Sequence, residues 1–200
     1  MALNDIERAL CELFVETCAG DAAGVRTALE AASAGGASPA MIDDVLLLGM
    51  PYGGVPRAIL AFGVWRRMEA EAAAPSFRPA DAAASGEAAF KGVYGERTAR
   101  VLRELDGYHP DLRTAILEDA YGRILARPSL PTRLRELVAV PALLAMQATR
   151  QAVAHALGAR FAGASDDDVL AAAMTAQKRV ERSRLSEALD VLRETLARAL

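Results

Sequence analysis

The sequence predicts an all-α fold, and three observations carry that prediction. Ala and Leu dominate the apolar residues while β-branched residues are few, a composition that favours helix over strand. Apolar positions recur at three- and four-residue spacing, as in the series Ile6, Leu10, Leu13, Phe14 and Thr17. Helix-start signals stand where such series begin: Asn4 with Glu7 three residues on, and Ser38 followed by Pro39. At 200 residues, 52% hydrophobic and 24% charged, the chain is long enough for one domain, or two small ones sharing a core, and too apolar for a disordered chain.

The first helical block is expected from Asn4 to about Ala32, with a break and restart near Gly20-Asp21. Gly35-Gly36-Ala37-Ser38-Pro39 stops it, and a helix follows from Pro39 to Met50, with Asp43 and Asp44 near its positive end. Pro51-Tyr52-Gly53-Gly54-Val55-Pro56 is expected to interrupt the chain before an apolar helix from Arg57 to Ala73. A linker over 75–86 then divides a first module, 1–74, from a second, 87–200, the two packing as one domain. In the second, Glu87 to Tyr108 is mixed, and His109-Pro110-Asp111 opens a helix to Ala126. Arg127 to Pro131 is a loop, Thr132 caps a long apolar helix, and Thr149 caps the next after a reversal at Met146-Gln147-Ala148. The last helix, Glu181 to Leu200, carries Leu185, Leu189, Leu192 and Leu196 and is expected to dock on the core or on a partner subunit.

The modules repeat. Gly36-Ala37-Ser38-Pro39 before Asp43-Asp44-Val45-Leu46 echoes Gly163-Ala164-Ser165-Asp166 before Asp167-Asp168-Val169-Leu170, at an offset near 128.

Charge and cysteine content exclude several functions. A net charge of -3 argues against electrostatic nucleic-acid binding, and no apolar run approaches the roughly 20 residues of a membrane helix. The N-terminus lacks a signal-peptide core, which makes the cytoplasm the expected location. Cys11 and Cys18, on one helix, are about 10 Å apart along its axis, beyond the roughly 7 Å reach of a disulfide, and are expected as buried free thiols.

Candidate chemistry concentrates between Tyr121 and Asp168. Glu136 and His155 approach only if the chain reverses between them, and the spacing then leaves them offset by about a helical turn, bridged by a water or another side chain. An imidazole suits proton donation near neutral pH, and a carboxylate beside it holds its cationic form. Arg127, Arg133 and Arg135 are candidate clamps for a substrate carboxylate, with Tyr121 and Tyr52 as further substrate-binding groups.

This block resembles the carboxymuconolactone decarboxylase family, of the alkylhydroperoxidase D-like superfamily. The resemblance is carried by Tyr121-Gly122, Arg127-Pro128-Ser129-Leu130, Thr132-Arg133-Leu134-Arg135-Glu136-Leu137-Val138 and His155. Pro51-Tyr52-Gly53-Gly54-Val55-Pro56 is similar to a Tyr/Gly/Pro loop of the same family. The family's peroxidase branch places a Cys-x-x-C pair between Glu and His; here Ala148 and Gln151 hold those positions. Arg8 and Thr27 stand in the first module where Glu136 and His155 stand in the second, which makes a composite site with Tyr52 the expected arrangement. The resemblance implies an alkylhydroperoxidase D-like helical fold, cofactor-free decarboxylation or proton transfer on a small carboxylated lactone or related acid, no metal, and a homo-oligomer, trimer or hexamer. A non-catalytic binding or structural paralogue is the alternative, and the missing cysteine pair disfavours a peroxidase.

Overall fold

A computed structural model describes residues 3–69 and 76–198, and among these there are helices and turns but no strand. The helices are α1 (Asp5–Ala19), α2 (Ala22–Ala34), α3 (Pro39–Gly53), α4 (Val55–Met68), α5 (Ala82–Tyr94) and α6 (Thr98–Tyr108). A short α7 (Leu112–Thr114) runs into a π-helical segment, Ala115–Leu125. Then come α8 (Thr132–Ala145), α9 (Thr149–Phe161), α10 (Asp166–Met174) and α11 (Arg182–Arg198). No helix among the described residues is long and apolar enough to cross a membrane.

Asn4 and Glu7 close a reciprocal capping box on α1, satisfying two backbone donors that the first turn leaves open. The repeat seen in sequence is one turn built twice. Gly36 and Gly163 both take positive φ, 89° and 96°, a conformation that favours glycine. Ala37 N then donates to Ala32 O, and Ala164 N to Ala159 O, at 3.0 and 2.9 Å. Ser38 and Ser165 cap the helices that follow. The two copies meet where α1 lies on α8, and α8 packs on α9 and α10. One apolar core runs through both halves, with Leu10, Leu13, Phe14 and Leu29 from the first and Leu137, Val138, Val140 and Val169 from the second.

Several boundaries differ from the sequence reading. The helix after Pro39 continues through Pro51 to Gly53, although Pro51 has no N–H to add to the hydrogen-bond ladder. The break is one residue, Gly54, at φ 87°. Asp43 and Asp44 do not serve the helix end: Asp43 accepts from Trp65 Nε1 at 2.8 Å and from Arg66, and Asp44 pairs with Arg127. The expected linker begins at residue 75, outside the described residues, and its end at Gly86 is already helix, since α5 starts at Ala82 with Asp81 as its cap. Gly86 reads as a loop residue but serves close packing: a Cβ there would lie 1.8 Å from Leu117 O. Gly122 is its counterpart on the π-helical segment, where a Cβ would lie 2.0 Å from Ala82 O. Thr132 and Thr149 do not cap; Pro131 and Ala148 occupy those positions, and neither helix start has a side-chain cap. The leucines of α11 are buried on this chain's own core, and Leu200 lies outside the described residues.

Candidate active site

α8 and α9 form an antiparallel pair, turned by Met146 to Ala148 with Gln147 at φ 62°. The reversal brings Glu136 and His155 into direct contact, closer than their chain positions suggest. His155 Nδ1 lies 2.8 Å from Glu136 Oε2. A carboxylate only accepts, so Nδ1 carries the proton and donates it, leaving Nε2 to accept from the Tyr52 hydroxyl at 3.3 Å. Glu136 is 1% exposed and His155 6%. Room for the carboxylate comes from Gly158 on α9, where a Cβ would stand 2.6 Å from Glu136 Oε2.

The Glu136–His155–Tyr52 chain ends in a cavity of about 360 Å³. Ala148 and Gln151 line this cavity together with His155. Tyr52, Tyr94 and Tyr121 line it too, and the rest is apolar, with Leu105, Ile116 and Leu143 among its walls. Among the described residues, no Lys or Arg lines it. Burial holds the Tyr52 phenol well above its ordinary ionisation range, and the negative charge of Glu136 adds to this. Burial first, then Tyr94 and Tyr52, does the same for Tyr121.

The three candidate arginines lie elsewhere. Arg127 is committed to Asp44 of α3 and stacks over Phe77, 5.7 Å from its ring centre. Arg133 bridges Glu7 of α1 and Asp168 of α10. Arg135 donates to the carbonyls of Arg127 and Leu130 at 2.5 and 2.6 Å. Its side chain lines a second cavity of about 440 Å³ beyond Tyr121 and Leu125, together with Glu136 and Thr132. Desolvation lowers the Arg135 guanidinium from its ordinary value, against the raising pull of Glu136 and Asp44. The three arginines are near one another in sequence, but carboxylates of other helices place Arg127 and Arg133, and backbone carbonyls place Arg135.

In the first half, Arg8 is exposed and the Thr27 hydroxyl bonds to Ala23 O, so the positions that match Glu136 and His155 make no pair. Glu16 there is held by Arg179 instead, at 3.0 and 2.5 Å.

Sequence reasoning missed Tyr94. A signal was present: Tyr52, Tyr94 and Tyr121 are each followed by glycine, whereas Tyr108, 64% exposed, is not. Each glycine serves the placement of its tyrosine's helix. Gly53 allows close approach to Cys18, Gly122 to Ala82, and Gly95 ends α5 at φ 53°.

Cys11 and Cys18 are buried and free, and neither lines the cavity. Burial raises both thiols from an ordinary 9.0, Cys18 to about 12. The folded protein is therefore expected to resist a disulfide reagent at pH 8 until it is unfolded. The folded state holds these protons more tightly than the unfolded chain does. Their contribution to stability is thus full below pH 9.0 and is lost as pH rises toward about 12. Urea midpoints across that interval check the sign, and rapid thiol labelling of native protein at pH 8 would contradict the burial.

No curated protein matches the chain. Residues 110–194, the stretch that supplies Tyr121, Glu136, Ala148, Gln151 and His155, match the Carboxymuconolactone decarboxylase family model.

Proposed function

We propose that the protein transfers protons to or from carbon without a cofactor, decarboxylating a small carboxylated lactone or related acid in the cavity at His155. The observation that carries this reading is the unbroken hydrogen-bond chain from Glu136 through His155 to Tyr52, ending in that cavity. In such a reaction the bond to the carboxylate breaks, carbon dioxide leaves, and the electron pair passes to the adjacent carbonyl as an enolate. A proton must then reach carbon. An imidazolium held against the Glu136 carboxylate supplies it from Nε2, directly or through the Tyr52 hydroxyl.

The apolar lining takes the part that an arginine clamp would otherwise play. A carboxylate placed against Leu105, Ile116 and Leu143 loses hydration, while neutral carbon dioxide does not suffer there. This favours a substrate with few charges, and Arg127, Arg133 and Arg135 are better read as structural. The test is release of carbon dioxide from γ-carboxymuconolactone and from less charged lactone acids, with the His155 variant described below as the blank. The lack of a cation in the cavity equally favours the alternative, a non-catalytic small-molecule-binding member of the family. Binding of these acids without turnover by the wild type would decide for it. Peroxidase chemistry is disfavoured, because Ala148 and Gln151 replace the thiols and the cysteines present are buried elsewhere.

The homo-oligomer implied by the resemblance belongs to the same proposal. Exposed Val55, Ile59 and Phe161, at 52%, 67% and 69%, support it, since an assembly would cover them. Light scattering is expected to give a multiple of 21.1 kDa. A stable monomer at micromolar concentration would remove the idea.

A further inference from the structure

We infer that α6 is a hinged roof over the cavity at His155, fastened to α9 by the Glu104–Arg150 ion pair, and that small ligands enter and leave as it lifts. The inference rests on the cavity described above and on no assumption about its chemistry. Val101 and Leu105, four residues apart on one face of α6, both line that cavity. None of the residues of α6 is buried, whereas α5 beside it buries Phe90 and Val93, and α9 buries Ala152, His155 and Ala156. A helix that covers a cavity without fully burying a side chain has little apolar contact to lose on opening.

Both ends of α6 suit hinges. Gly95, just before it, takes φ 53° and opens a 3₁₀ turn that runs to Arg97. The start of α6 at Thr98 has no side-chain cap, and past its far end His109 is extended, at φ -163°. Residues at the ends of elements are the ones that absorb the dihedral changes of a moving lid. The fastenings of α6 are of two kinds. Asp106 pairs with Arg113 of α7 at 3.1 Å, which joins α6 to its neighbour in the chain. Glu104 reaches Arg150 in the first turn of α9 at 2.7 Å and also accepts from the Tyr108 hydroxyl. Arg150 adjoins Gln151, an exposed residue of the cavity lining, and its own side chain is 76% exposed. An exposed ion pair is worth little against solvent, so this fastening releases readily. Closure is favoured by the apolar face. Val101, Leu102 and Leu105 are partly buried, and an apolar ligand beneath them would complete their burial and draw the roof down.

The probe is 4-nitroanisole, an uncharged ring whose absorption moves to shorter wavelength when it leaves water. In the free protein the amides of α6 are expected to exchange with deuterium roughly tenfold faster than those of α9, and saturating probe should slow them. Arg150→Gln releases Glu104. It should raise both the entry and the release rate of the probe about two- to fivefold in stopped flow, with Kd unchanged. A residue that merely shapes the cavity would change Kd instead. Arg193→Gln, which breaks an exposed pair with Asp190 on α11, should match wild type. Should Arg150→Gln fail to fold, Glu104→Gln gives the same reading from the other partner. Amides of α6 that exchange as slowly as those of α9, rates unmoved by loss of the ion pair, or a wild type that takes up no probe would each overturn the inference. Gated uptake by a protein that releases no carbon dioxide from any of the acids would strike the proposed function and leave the roof standing.

Discussion

His155→Ala is expected to lower turnover by about 10²- to 10⁴-fold, the usual worth of a positioned general acid or base. The same change is not neutral for the fold. His155 is the hydrogen-bond partner of a carboxylate that is 1% exposed, so its removal leaves a buried charge uncompensated, at a cost of about 3–5 kcal/mol. The burial of Glu136 and His155 joins the two effects. Two further variants part them again. Tyr52→Phe deletes the hydroxyl facing His155 Nε2 while keeping the ring that packs edge-on to Phe14 at 5.3 Å. It should fold as wild type and slow turnover. Gly158→Ala leaves every polar group in place but drives a methyl into Glu136 Oε2. It should depress turnover through displacement of the carboxylate. Full activity in a folded His155→Ala protein would end the relay reading. Activity measured beside urea midpoints reports both consequences.

Arg127→Met is expected to be the most damaging change outside the cavity. The Arg127 and Asp44 side chains are 10% and 3% exposed, and their ion pair ties α3 of the first half to the loop before α8 of the second. Breaking a buried pair from one side costs about 3–5 kcal/mol. In a chain of this size that lowers the melting temperature by about 6–20 °C, at 2–4 °C per kcal/mol. The Asp44→Asn/Arg127→Met double variant should recover part of the loss, because neither charge is then stranded. A coupling near zero in the double-mutant cycle would show that the pair does not hold the halves together. A lactone-acid KM that rises in Arg127→Met with no loss of stability would restore the arginine as a substrate clamp.

The all-α class, most helix starts and the repeat were legible in the sequence, because helical periodicity, capping residues and the Gly-Ala-Ser turn are local features. Asn4 with Glu7, and Ser38 and Ser165, act within three residues of themselves. Gln151 and His155, four residues apart, share a face of α9 and line one cavity. What the tertiary structure decided was everything that depends on a partner distant in the chain. The Glu136–His155 bond spans 19 residues and follows from how closely α8 and α9 pack, which a small residue at Gly158 permits. Tyr52 reaches His155 across 103 residues. Arg127, Arg133 and Arg135 looked equivalent in sequence, and only their surroundings separate them: Asp44 for the first, Glu7 and Asp168 for the second, two backbone carbonyls for the third. Gly86 read as a loop residue because a sequence shows a missing side chain but not the carbonyl of Leu117 that needs the space. Helix starts obey short-range hydrogen bonding, whereas a buried charge is placed by whichever opposite charge or carbonyl the folded core brings to it.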